Sequence, residues 1–446
     1  MLKNPSSKQF ALEMVSLETL VPEDHLLRKI NSTIEFDFIR DKVAHLYCVD
    51  NGRPALDPVV LFKILFIGYL FGVRSERQLM KEIQVNVAYR WFLDFNLTDK
   101  IPDASTLSQN RRRRFNESSI YQEIFDEIVE QAMKKGLVGG KVLYTDSTHL
   151  KASANKNKHI LKEVEQTPKD YLSSLEEDIN KDRTLHGKKP LKAVEKSVEV
   201  KQKKVSTTDP DAGYMVREGK PKGFFYLDHR TVDGKHNIIT DSYTTPATVH
   251  DSIPYLNRLD HQMKRFHLAP TAVGLDAGYF TGNICKGLED RKIYGVISYK
   301  RNPHKKGFFY KREFTYDKKR DHYKCPAAEV LTYRTTNRNG YREYVSNPSK
   351  CRNCMYLSKC TESKNHQKVL TRHVWEDQKE EVNNHRLTKT GKQIYKRRKE
   401  TVERSFADAK ELHGHRYARF RGLKKTQMQC LLAAACQNMK KIALVS

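Results

Sequence analysis

Acidic side chains are in short supply in this chain. Its 446 residues carry 54 Asp and Glu against 81 Lys and Arg, a formal net charge of +27. A surplus that large repels itself and lowers stability unless a polyanion is present. Nucleic acid and anionic membrane are the usual polyanions. Long apolar runs are missing too. The longest, Val59 to Val73, is too short to span a bilayer and is broken by Lys63. No N-terminal signal pattern is visible, because the first apolar residues are scattered and acidic residues soon follow. These absences set the membrane aside. They leave the expectation of a cytoplasmic protein that binds nucleic acid with an affinity falling steeply with salt.

Internal repeats are absent, and the eight cysteines do not suggest disulfides in that compartment. Cys48, Cys285, Cys430 and Cys436 sit singly or in apolar helical runs and read as small core residues. The other four, Cys325, Cys351, Cys354 and Cys360, share one region. Cys351-x2-Cys354 is a metal-knuckle spacing, and four thiolates complete a closed tetrahedral site for one structural Zn²⁺. His322 and His366 are alternative ligands. The region is poor in apolar residues, so a metal would help to order it.

Residues 1–135 read as a helical N-terminal domain. Asp57-Pro58 starts a helix that is apolar almost all round, and Ser75 is a plausible cap for the next. Ser105 or Thr106 can cap a helix carrying Arg111, Arg112, Arg113 and Arg114. Four consecutive arginines cover every side of a helix, so some must face out, and a phosphate backbone is a natural partner. From 136 to 300 strand patterns take over, starting with Lys141 to Asp146 and returning at 223–229, 236–244, 271–275 and 293–299. Asp233-Gly234 is a hairpin signal. Helices are expected at 251–267 and 282–291. Within this stretch 155–204 reads as a charged helical excursion, with Leu161, Val164, Leu172, Leu175 and Ile179 at helical spacing. Residues 301–385 form a basic, cysteine-bearing insertion. The last part, 386–446, reads as one intensely basic helix to Arg404 and then an apolar helix from Thr426.

Three carboxylates stand out by their surroundings. Asp146 follows an apolar strand, Asp276 ends another, and Glu403 sits in a helix beside Val402 and a turn before Phe406. Phosphoryl transfer on DNA needs hard oxygen ligands for two Mg²⁺ (or Mn²⁺) ions about 4 Å apart. Ends of buried strands are the usual place for such ligands in α/β folds. Asp251, in His250-Asp251-Ser252, is a rival to Asp276, although an Asp before a helix is more simply its N-cap.

These blocks resemble the DDE transposases of bacterial insertion sequences, in the branch with an internal cysteine cluster. The resemblance rests on Tyr144-Thr145-Asp146-Ser147-Thr148-His149-Leu150-Lys151-Ala152, on Gly274-Leu275-Asp276-Ala277-Gly278-Tyr279-Phe280, and on Thr401-Val402-Glu403-Arg404-Ser405-Phe406 followed by Lys410. In the N-terminal half it adds Arg53-Pro54, Arg74-Ser75-Glu76-Arg77, Trp91-Phe92-Leu93 and Pro102-Asp103-Ala104-Ser105-Thr106. It implies a ribonuclease-H-like α/β core, a mixed five-stranded sheet with flanking helices. It also implies cleavage at transposon ends by water, then attack of the freed 3′-hydroxyl on target DNA, with Asp146, Asp276 and Glu403 as the metal-binding catalytic set. Double-stranded DNA and a homodimer or higher assembly are the implied partners, in a bacterial, nucleoid-associated setting. A nuclease of the same fold without strand transfer, and a non-catalytic DNA-binding relic, are the alternatives.

One departure from the family stands out. Many relatives carry Tyr, then Arg three later, Glu four after that and Lys seven beyond. Glu403 and Lys410 match, but Lys396 and Lys399 occupy the Tyr and Arg positions. Tyr395 and Arg398 are each one residue early, about 100° around a helix. On a continuous helix Lys399 and Lys410 share the Glu403 face, so these two lysines are the expected DNA contacts and Arg398 is expected to point elsewhere.

Overall fold

The computed structural model describes residues 14–48, 55–165, 171–192, 200–216, 219, 221–299 and 305–445. The Arg53-Pro54 pair lies outside them. The described residues open with eight α-helices: α1 (Leu17–Leu20), α2 (Leu26–Thr33), α3 (Phe38–Val43), α4 (Pro58–Leu70), α5 (Glu76–Val85), α6 (Val87–Phe92), α7 (Ala104–Asn110) and α8 (Ile120–Lys134). α4 starts as its sequence dictates. The Asp57 carboxylate accepts the Val59 amide at 2.9 Å and Pro58 takes the first turn. The helix is buried on nearly every side, with Phe62, Ile64 and Phe66 wholly enclosed. Ser75 caps α5 through the Gln78 amide at 3.3 Å. The cap of α7 is Asp103, not Ser105 or Thr106. Extended backbone at Asp103 turns its carboxylate onto the Ser105 amide at 2.7 Å. The four arginines follow in a wide π-type turn, Arg111–Phe115.

The central sheet runs β6-β5-β1-β7-β8: β1 (Val142–Lys151), β5 (Gly223–Asp233), β6 (Ile239–Pro246), β7 (Ala272–Leu275) and β8 (Tyr294–Ile297). β5 is antiparallel to β1 and β6, whereas β1, β7 and β8 are parallel. A sixth strand, the three-residue β4 (Gly213–Met215), also pairs with β5. Successive residues of β1 serve opposite faces, as a pleated strand must. Leu143 packs with Leu259 of α10 (Tyr255–Phe266) and Ile284 of α11 (Gly282–Asp290). Tyr144 joins the core shared by the N-terminal helices, α16 (Val402–Leu412) and α17 (Leu423–Val445).

Two segments differ from the sequence reading. Among the described residues of the 155–204 excursion only α9 (Leu172–Leu185) is helical. Leu161 and Val164 belong to β2 (His159–Glu165), paired antiparallel with β3 (Val200–Ser206). Their three-residue spacing fits a helix, but pairing with a remote strand wins. The insertion is a five-stranded antiparallel sheet, β13-β12-β11-β10-β9, built from β9 (Thr315–Asp317), β10 (His322–Lys324), β11 (Val330–Thr336), β12 (Tyr341–Ser346) and β13 (Val369–His373). Phe314, Tyr323, Leu331, Tyr344 and Leu370 form its core. Two short helices, α12 (Pro348–Arg352) and α13 (Leu357–Cys360), carry Cys351 and Cys360, and Cys354 lies between them. α14 (Glu376–His385) and α15 (Lys389–Arg397) lead back to the main sheet.

β6 is an edge strand, and α17 closes that edge. Asn438 Oδ1 accepts the Ile239 amide and Asn438 Nδ2 donates to the Ile239 carbonyl, both at 2.8 Å. Three helical turns earlier, Gln427 accepts from the Thr244 amide at 2.6 Å and donates to the Ser242 carbonyl at 2.8 Å. Unpaired edge groups are a liability that proteins cover.

Candidate active site

The parallel pairing of β1 with β7 sets Val142 against Ala272, Leu143 against Val273 and Tyr144 against Gly274. Two residues beyond the last pair lie Asp146 and Asp276, level with one another on adjacent strands. Close approach of these strands depends on Gly274, where a Cβ would stand 2.7 Å from the Tyr144 ring. Asp276 then ends its strand, its Oδ1 accepting the Gly278 amide at 2.8 Å. A side chain at Gly278 would crowd that same oxygen at 3.1 Å. Asp146 Oδ1 accepts the Ser147 amide at 2.8 Å.

Burial pushes the Asp146 carboxyl up to about 6. The Arg398 guanidinium opposes this, and the nearby Asp276 and Asp251 carboxylates add to it. The structure thus brings Asp146, Asp276 and Asp251 into one electrostatic neighbourhood. The expected capping role of Asp251 does not hold. α10 begins only at Tyr255, behind Pro254, with no side-chain cap. Pro254 takes the position before the helix, leaving Asp251 in the preceding turn with a buried Oδ1 that has no hydrogen-bond partner. Tyr279 completes this corner. Its ring is fully buried, its hydroxyl has no partner, and burial with the three aspartates drives its pKa well up.

Glu403 lies on the first turn of α16, which packs on β1, and it is solvent-exposed. The basic helix expected to run through to Arg404 is broken between Arg397 and Val402, where Thr401 takes φ −107° and ψ −97°. The break resets the helical phase, so the one-residue offset of Arg398 disappears. Arg398 is 3% exposed, and its Nη2 donates to Asp146 Oδ2 at 2.6 Å. Its carbonyl accepts the Glu403 amide at 3.1 Å, tying it directly to the glutamate. The same break removes Lys399 from the Glu403 helix, where it is exposed in the intervening turn. Lys410 remains on α16, half-buried.

The arginine run divides unevenly. Arg111 is buried, ion-paired with Glu76 and laid over the Phe420 ring. Arg114 donates to Asn110 and covers Tyr47. Only Arg112 and Arg113 are exposed. Two of the four positions expected to reach DNA are therefore occupied inside the protein, because the wide turn points them at aromatic faces.

All four insertion cysteines line one small cavity of about 30 Å³, and neither His322 nor His366 does. The Cys360 thiol is pushed up by burial first; Lys368 opposes this, and Cys351, Cys325 and Cys354 add to it. Cys285, Cys430 and Cys436 are buried as expected. Cys48 is exposed and is not a core residue, since the stretch after α3 that carries it runs along the surface. Among the described residues, one group of three His, Cys or acidic side chains has its ligand atoms all within 4.8 Å of one another: Asp228, His415 and Cys430. Asp228 there accepts from Arg230 Nε at 2.8 Å, from His415 Nε2 at 2.9 Å and from Ser242 at 2.9 Å. Arg230 already supplies the cation, so this is a core polar knot joining β5 to the C-terminal segment. The carboxylates of Asp146, Asp276 and Glu403 are spread wider than that knot.

Two family models match the chain. Residues 15–113 match a transposase domain (DUF772) and residues 324–443 match a transposase DDE domain. Together they support a DDE transposase of the insertion-sequence type. Glu403, Arg398 and all four cysteines of the insertion fall inside the second match, whereas Asp146 and Asp276 lie between the two. No curated protein matches the chain. Among solved structures, the cryo-EM structure of a piggyBac transposase synaptic complex with hairpin DNA aligns over 94% of this chain and 79% of that one. The identity is 10% and the TM-score 0.35, too low to define a shared fold. No described helix is long and apolar enough to cross a membrane.

Proposed function

We propose that this transposase cleaves DNA at the ends of an insertion sequence and joins the freed 3′-hydroxyls to target DNA, with Asp146, Asp276 and Glu403 holding two Mg²⁺ or Mn²⁺ ions. The observation that carries the reading is the parallel β1–β7 register, which sets two aspartates side by side next to the helix bearing Glu403. The strand order β6-β5-β1-β7-β8, with the second strand antiparallel to the first and the last three parallel, supports a ribonuclease-H-like core. The donor set fits hard divalent ions: carboxylate oxygens only, with the orphaned Oδ1 of Asp251 close to Asp146. Bound there, the ions would activate the attacking oxygen and stabilise the leaving one.

The chain's own groups have separate tasks. Arg398 neutralises Asp146; with a metal held on that carboxylate, its guanidinium would be free for a phosphate. Exposed Arg112, Arg113 and Lys399, with Lys410, supply further phosphate contacts along the strand. Residues 1–135 act as the unit for DNA binding and dimerisation, 136–300 with 386–446 as the catalytic core, and 301–385 as a module ordered by one Zn²⁺ on Cys325, Cys351, Cys354 and Cys360.

The test uses duplexes carrying the sequences that flank the gene. Asp146→Asn and Asp276→Asn are expected to abolish Mg²⁺-dependent cleavage while leaving DNA binding within about threefold. Pre-cut ends with supercoiled target are expected to give joined products. Hydrolysis without joining would identify a nuclease, and full activity in Asp146→Asn would refute the carboxylate reading.

A further inference from the structure

A cleft of about 980 Å³ opens between α5, α7 and the C-terminal segment around Arg419 and Phe420. Its two walls come from opposite ends of the chain, and it lies outside the carboxylate site. The floor is apolar, with half-buried Val73, Ile101 and Phe420 beside buried Tyr69, Met80 and Leu432. The rim is basic: Arg74, Arg77, Lys81 and Lys100 are all exposed there. Acidic neighbours offset only part of that charge. Glu76 is paired with Arg111, and Asp103, which caps α7, acts on Arg77.

At the base lies Arg419. Its guanidinium lies over the Tyr69 ring at 3.9 Å and donates through Nη2 to the Gly68 carbonyl at 3.1 Å. Its Nε is buried and has no partner. A buried donor without an acceptor is destabilising, and an entering acceptor would recover that loss. Arg111 over Phe420 gives the cleft a second guanidinium–aromatic pair.

We propose that this cleft binds an unstacked nucleotide of a DNA strand, with the base on the Tyr69–Arg419 floor and the flanking phosphates on the Arg74–Arg77–Lys81 rim. The proposal rests on the DNA-transposase reading and adds a separate place where one strand is held open. A stacked duplex keeps its bases in the grooves and its phosphates outside. It would meet the rim and leave the apolar floor in water. An extruded base covers that floor and stacks on the Arg419 guanidinium plane, while a sugar or phosphate oxygen of the same nucleotide offers an acceptor to the in-plane Nε. The volume is at the upper end of the usual range for small-ligand pockets, about 300–1,000 Å³.

The test compares a labelled single-stranded tetranucleotide with a blunt 20-base-pair duplex, each titrated with the full chain by fluorescence anisotropy. Wild type is expected to bind both. Ser108→Trp, which fills the cleft from α7, should weaken the tetranucleotide at least tenfold and leave the duplex within twofold. Arg77→Ala with Lys81→Ala should weaken the tetranucleotide and lower its salt slope by about one to two. The double variant decides the matter if Ser108→Trp loses its cooperative melt. Unchanged tetranucleotide binding in the folded variants overturns the proposal, as does an equal loss for duplex and tetranucleotide in Ser108→Trp. A wild-type chain that binds duplex but not the tetranucleotide overturns the cleft alone. One that binds neither removes the DNA reading with it.

Discussion

The Arg398–Asp146 pair offers the sharpest test of the site. The Arg398 side chain is 4% exposed and that of Asp146 20%, with 2.6 Å between Nη2 and Oδ2. Removing one partner of a buried pair costs about 3–5 kcal/mol. Asp146 keeps some solvent, so Arg398→Met is expected to cost about 2–3 kcal/mol in metal-free buffer. Asp146 sets the pH. Its folded value of about 6 lies above the ordinary 3.8, so it contributes stability below pH 4 that is lost as pH rises through 6. At pH 7.5 it is ionised, and the pair is at full strength. The assay is urea unfolding of wild type, Arg398→Met, Asp146→Asn and the double variant, without and with Mg²⁺. The cycle should give a coupling of about 1.5–3 kcal/mol without metal. Mg²⁺ should stabilise Arg398→Met more than wild type, because the guanidinium no longer competes for Asp146, and it should do little for Asp146→Asn. A coupling below about 0.5 kcal/mol, or equal Mg²⁺ stabilisation in all four chains, would refute the exchange of arginine for cation.

Other outcomes follow from the same structure. Cys354→Ser should remove about one Zn²⁺ per chain by metal analysis and raise protease cleavage within 305–373, while the main melt shifts little. His413 is 2% exposed, bonded to the Tyr69 carbonyl, and pushed down to about 4, first by burial. Stability should therefore fall as pH drops from about 6.5 to 4, by about 3 kcal/mol, and His413→Gln should flatten that slope. Gly391→Ala would put a Cβ 2.0 Å from the His385 carbonyl, so a loss of at least about 3 kcal/mol is expected in urea unfolding.

Local chemistry carried much of the fold in the sequence. Asp57-Pro58 and the apolar run after it define α4, and the β-branched runs ending at Asp146 and Asp276 define β1 and β7. What stayed hidden depends on partners far along the chain. β2 pairs with β3 across an excursion, so its spacing could be mistaken for a helix. The insertion sheet has a core of Phe, Tyr and Leu from many short strands, too sparse to show a period. Arg398 was obscured differently. No Gly or Pro marks the break before α16, so the sequence suggests a continuous helix and rotates the side chain to the wrong face. Asp251 was hidden by Pro254, which starts α10 three residues later than Asp-Ser suggests.

The contact of α17 with β6 limits how copies of this chain can assemble. Gln427 and Asn438 already occupy backbone groups of that strand, as a further strand would. A second molecule cannot extend the sheet there without first prying the C-terminal helix away from the helical core. Any multimer formed on DNA must therefore be built from other surfaces.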